Sequence, residues 1–198
     1  MRVTIFDYGA GNLHSLAKAI MLASVDLTIE PDPARAIHTD LLMLPGVGAF
    51  GPAAERLASG RNEMRKAITA GLPTFGICLG MQLLFDGSDE GDGPGLGIFP
   101  GRVTRLEAAR SPQIGWNTLD EITDSATKAS SLSSVYYANR FACRPVSESN
   151  VVAWSTHERD RFPAIVRRGR TIGVQFHPEK SSAPGVAFIR AVIDEARR

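Results

Sequence analysis

Apolar and polar positions alternate between two rhythms along the first half of the chain. Short β-branched runs, RVTIFDY (2–8), DLTIEP (26–31), DLLMLPG (40–46) and PTFGIC (73–78), read as strands. NLHSLAKAIMLAS, AAERLASG with RNEMRKAITAG, and LGMQLLFDGS repeat their apolar positions at helical spacing and read as helices. Strand and helix in turn suit a parallel sheet, because parallel neighbours need a crossover and both faces need covering. The second half is richer in strands: GIFPGRVTRLEA, IGWNTLDEI, VYYANRFACRP, VVAWSTHE and PAIVRRGRTIGVQF, with Arg168-Gly169 suited to a hairpin turn. PGVAFIRAVIDEARR reads as a last helix, with a serine cap before it and proline in its first turn. GSDEGDGPGLG (87–97) reads as a surface loop. The expectation is an α/β fold: a mostly parallel sheet flanked by helices, with a strand-rich second half.

Composition narrows this picture more than it extends it. With 198 residues, 43% of them hydrophobic, the chain suits one sizeable core, so a single domain over residues 1–198 is expected. The 22 basic residues are interspersed with 21 acidic ones for a net charge of +1, which leaves no basic stripe for nucleic acid. No window approaches the roughly 18 consecutive apolar residues of a membrane span, and MRVTIFDY lacks the basic-then-apolar layout of a signal peptide. The expected location is therefore cytoplasmic. The two cysteines, Cys78 and Cys143, have no neighbours at zinc-ligand spacing, so free thiols and neither metal nor cofactor are expected.

Cys78 has the most informative surroundings. It ends a predicted strand, begins a predicted helix and stands between Gly76 and Gly80, the spacing of a nucleophile elbow with cysteine in the serine position. An ordinary thiol is only about 3% thiolate at neutral pH, so a nucleophile there needs a helix terminus or an imidazole beside it. Of four histidines, His14 falls in a helix pattern, His38 in a loop, and His157 in a charged turn, HERD. His177 ends the apolar run TIGVQF and is followed by proline and Glu179, which can orient an imidazole. Acyl transfer also needs backbone donors for an oxyanion; Leu79, after the nucleophile, and Gly48, in another strand-to-helix loop, fit that need. Gly46-x-Gly48-x-x-Gly51 also matches a dinucleotide fingerprint, but a proline precedes it and no acidic strand end follows at the required distance.

GICLGMQ and FHPE resemble the signature blocks of the class I, triad-type glutamine amidotransferases. Adding DYGAGNLHS (7–15), LPGVGAFG (44–51), PQIGWN (112–117) and HPEKS (177–181), the likeness spans nearly the whole chain and is strongest to a branch serving a separate cyclase. The resemblance implies a flavodoxin-like fold, with Cys78 as nucleophile, His177 as acid and base, and Glu179 as its orienter. It further implies that Gln82 and Glu90 hold L-glutamine and that Gly48 belongs to the oxyanion loop. The implied partner is a (β/α)8-barrel cyclase in a heterodimer, met by Asn12, Trp116, Tyr136 and Lys180. One segment departs: where the family reads close to YFVHSY, this chain has YYANRF, so Asn139-Arg140-Phe141 stand beside the glutamine pocket. The alternatives are a glutaminase subunit of another class I amidotransferase and a related cysteine amidohydrolase.

Overall fold

The computed structural model describes residues 1–9 and 13–198. The first half contains strands β1 (Arg2–Phe6), β2 (Asp26–Glu30), β3 (Leu41–Leu44) and β4 (Thr74–Ile77). Its helices are α1 (His14–Met21), α2 (Pro33–Ala36), α3 (Phe50–Leu57), α4 (Arg61–Thr69) and α5 (Leu79–Leu83). The second half contributes β5 (Gly87–Ser88), β6 (Gly101–Arg105), β7 (Gln113–Thr118), α6 (Ser125–Ala129), β8 (Ser134–Asn139) and β9 (Phe141–Pro145). It continues with β10 (Val151–His157), β11 (Asp160–Arg168), β12 (Thr171–Val174) and α7 (Ser182–Ala196).

Among the described residues, seven strands form the main sheet in the order β10-β11-β12-β4-β3-β1-β2. From β2 to β12 the pairs are parallel, and β11 and β10 extend the sheet antiparallel. β3, β4 and β12 are buried at every position, as strands covered on both faces must be. One apolar core, including Ile5, Phe75 and Phe188, fills the space under α1 and α7. A second, including Leu42, Phe50 and Met64, lies under α3, α4 and α5 on the opposite face.

The elements differ from the sequence pattern where tertiary bonds override it. VYYANRFACRP reads as one strand but is two: β8 pairs with β7, while β9 pairs with β6. The break falls at Arg140, where Asn139 Nδ2 donates to the Phe141 carbonyl at 3.1 Å. The helix read through residue 88 stops at Leu83, because the Leu83 and Leu84 carbonyls accept from the Leu96 and Ile98 amides (2.7 and 2.8 Å). That same pairing buries Gly95 and Leu96, so the 87–97 segment is a surface loop only in its middle. Helices α2 and α6 are too short to show a period and are marked by their aspartate caps, Asp32 and Asp124, and in α2 by Pro33 at its start. Ser181 precedes α7 as expected, yet its side chain makes no cap bond. Among the described residues no helix is long and apolar enough to cross a membrane.

Candidate active site

The turn from β4 into α5 explains the residues around Cys78. The cysteine adopts φ 48° and ψ −104°, and its amide donates to the Val174 carbonyl at 2.7 Å, tying the end of β4 to the end of β12. A Cβ on Gly76 would stand 2.7 Å from the carbonyl carbon of Gly80, and one on Gly80 would overlap the Leu44 carbonyl of β3. The two glycines therefore let strand, turn and helix close together around the thiol. Cys78 is 6% exposed, at the foot of a cleft.

The main sheet brings His177 to the same edge, because β12 lies directly beside β4. Its backbone N–H donates to the Tyr136 carbonyl at 2.8 Å, and its Nδ1 pairs with Glu179 Oε1 at 2.8 Å. Burial alone would lower the His177 pKa. The neighbouring Cys78 and the Glu179 carboxylate outweigh burial and push it up from 6.5 to about 10. The geometry thus sets Cys78 and His177 on one cleft with Glu179 bonded behind the imidazole, and these neighbours favour its protonated form.

Behind the thiol lies a residue that sequence reasoning missed. Gln175, fully buried, directs Nε2 toward Cys78 Sγ at 3.5 Å, while its Oε1 accepts from Gln82 Nε2 at 3.2 Å. Its signal was a polar side chain inside the apolar run TIGVQF. Gln82 also donates to the Phe141 carbonyl at 3.3 Å, so the segment that departs from the usual family residues contributes a backbone acceptor there.

The cleft above Cys78 has a volume of about 210 Å³ and is lined by Gly48, Leu79, Gln82, Glu90 and His177, among others. Asn139, Arg140 and Phe141 form part of its wall, with Lys180 at the same site. Glu90 is exposed, and its Oε2 accepts from the Phe50 amide at 3.1 Å. The Gly46–Gly48 loop closes the remaining side: a Cβ on Gly46 would lie 3.0 Å from His177 Cε1, so this glycine spacing serves close approach to the imidazole. Tyr8, buried just beyond β1, donates its hydroxyl to the Pro45 carbonyl and so anchors that loop. Burial raises the Tyr8 pKa well above its usual value, with Cys78 adding to the effect.

Trp116 and Tyr136 are direct cross-strand partners on β7 and β8, edge to face with ring centres 6.2 Å apart. Lys180 Nζ lies 5.9 Å from the Tyr136 ring centre. Trp116 is 55% exposed, so these three residues form a surface cluster beside the cleft. Asn12 lies outside the described residues. Cys143 is fully buried in β9, and burial pushes its thiol pKa up. His157 reaches the Arg110 carbonyl at 2.7 Å, away from the cleft wall. Among the described residues, no group of three or more histidine, cysteine, aspartate or glutamate side chains is arranged to hold a metal ion.

The family profile described as "Glutamine amidotransferase class-I" matches residues 4–193. This chain belongs to that family. The amidotransferase is 40% identical to "Imidazole glycerol phosphate synthase subunit HisH" of Symbiobacterium thermophilum over 95% of its length and 91% of the relative's. A protein of the same name from Halobacterium salinarum is 38% identical over 97% of this chain and 92% of its own. The Corynebacterium diphtheriae protein of that name is 35% identical, with 98% of each chain covered. Among solved structures, a crystal structure of a glutamine amidotransferase superposes with TM-score 0.75 at 20% identity, covering 99% of each chain. The structure of PurLQS from Thermotoga maritima gives 0.74 at 18% identity, over 98% of each chain. These two place the amidotransferase in the same α/β fold.

Proposed function

We propose that this amidotransferase is the glutaminase subunit of imidazole glycerol phosphate synthase, active in histidine biosynthesis as one folded domain. The observation that carries the chemistry is that Cys78 and His177 line one cleft, with Glu179 hydrogen-bonded to the His177 ring at 2.8 Å. The synthase assignment is supported by full-length relatives that bear that subunit's name. L-glutamine enters with its carboxamide over Cys78, held by Gln82 and Glu90. The sulfur attacks the carboxamide carbon, and the amides of Leu79 and Gly48 receive the oxyanion. The C–N bond then breaks, with the His177 proton going to the departing nitrogen, and leaves ammonia and a thioester. Water attacks the thioester carbon, His177 takes its proton, and the C–S bond breaks to release glutamate. No cofactor enters any step.

Ammonia that reaches bulk water becomes ammonium and loses its nucleophilicity. The partner is a (β/α)8-barrel cyclase, seated as a heterodimer over the cleft mouth on Trp116, Tyr136 and Lys180, where it receives ammonia directly. The deciding experiment uses the complex. Cys78→Ala is expected to abolish product formation from glutamine while product still forms from added ammonium salt, and Cys143→Ala is expected to retain both activities. Glutamine turnover that survives in Cys78→Ala would remove the assignment.

A further inference from the structure

Ser181 makes a set of bonds that none of these steps uses. It is 1% exposed and stands just before α7, where a serine ordinarily caps the helix. Instead its hydroxyl donates to the His177 carbonyl at 2.7 Å and accepts from the Tyr136 amide at 2.9 Å. The His177 amide in turn donates to the Tyr136 carbonyl at 2.8 Å. One buried hydroxyl thus closes a ring in which both backbone polar groups of His177 are fastened to β8, through residues 45 positions apart in sequence.

What β8 carries on its outer side makes this ring informative. β8 and β7 form a sheet of only two strands, and such a ribbon takes its position from whatever holds it. One set of holds lies at its far end, where Asn117 Nδ2 donates to the Thr156 carbonyl and Ser155 Oγ to the Thr118 carbonyl. The Ser181 ring is the hold nearest the imidazole. The Tyr136 side chain on the same residue meets exposed Trp116 and Lys180. A force on that aromatic cluster therefore reaches the His177 backbone by two routes, directly through the bond to the Tyr136 carbonyl and through the Ser181 hydroxyl, which holds the His177 carbonyl.

We propose that Ser181 is a positioning residue: its hydroxyl sets the place of the His177 backbone relative to β8, so that the position of the β7–β8 ribbon fixes where the imidazole stands over Cys78. This rests on the reading of the chain as a cyclase-dependent glutaminase. A hydrogen bond made by a buried hydroxyl is directional, and deleting it leaves the Tyr136 amide without this acceptor, so the ring is stiff where the chemistry needs it to be.

The test is Ser181→Ala in the full chain, assayed with the cyclase over ranges of glutamine and of cyclase, with thermal melts alongside. Expected is a fall of about tenfold in kcat for glutamine, with KM and the half-activating cyclase concentration each within about twofold of wild type. Product formation from ammonium salt should be unchanged. An unchanged kcat would overturn the proposal, as would a lowered melting temperature with normal kcat per folded molecule, since that is what a purely structural hydroxyl would give. A fall in kcat matched by an equal rise in half-activating cyclase concentration would also overturn it, because the loss would then be one of binding. If the wild-type complex makes product from ammonium but not from glutamine, the glutaminase reading itself fails and takes this proposal with it.

Discussion

Cys78 occupies a backbone region that non-glycine residues seldom visit, and such strain costs of order 1–3 kcal/mol. The cost comes from the Cβ, so glycine relieves it and alanine does not. Cys78→Gly is therefore expected to be more stable than Cys78→Ala by about 1 kcal/mol in urea unfolding, the reverse of the usual ranking at a helical position. His177 yields a second expectation. Glu179 is one of the groups that raise its pKa, so Glu179→Gln should move the alkaline limb of kcat/KM for glutamine to lower pH, as the proton needed by the leaving nitrogen is lost earlier. The stability effect has the same direction. A folded pKa of about 10 against an ordinary 6.5 means a contribution fully present below pH 6.5 and lost as pH rises through 10. Between pH 7 and 9.5 wild type should accordingly lose more unfolding free energy than Glu179→Gln does, as measured by urea melts at both values.

The elbow tolerates least change where two backbones meet. Gly80→Ala would drive a methyl group into the Leu44 carbonyl, so β3 and α5 must separate. Overpacking of this kind costs about 1–3 kcal/mol or more. The variant is expected to melt lower and to lose glutamine turnover, which thermal melts and an ammonia assay would check. This element also shows what a sequence can reveal. Cys78, Gly76 and Gly80, and likewise His177 and Glu179, are legible because each group's geometry is local and compressed into a few adjacent positions. Gln175 and Ser181 are not, because their partners lie 97, 93 and 45 residues away and a hydrogen bond between elements leaves no period. For the same reason the βαβ alternation of the first half is readable, whereas the insertion of β12 beside β4 is not. The split of VYYANRFACRP depends on which sheet each half joins, and both halves have the same apolar pattern.

Across the whole molecule, Trp116 is large, aromatic and more than half exposed, which is costly on a free surface and characteristic of an interface centre. Trp116→Ala is expected to raise the cyclase concentration needed for half-maximal glutamine turnover by tenfold or more, with a melting temperature close to wild type. Titration of the cyclase, read by glutamate release, checks this, and an unchanged midpoint would place the interface on another surface. The strand order has a consequence for how the molecule is made. β4 and its cysteine are synthesised early, but the neighbour that delivers His177 begins at Thr171. Until that segment leaves the ribosome, one edge of β4 has no permanent partner, and the thiol has neither His177 beside it nor the carbonyl of Val174 to fix its turn. On the proposed roles of Cys78 and His177, a chain that stops short of His177 is expected not to consume glutamine. The nitrogen supply therefore opens only after translation has passed Glu179, and chains shorter than that waste none of it.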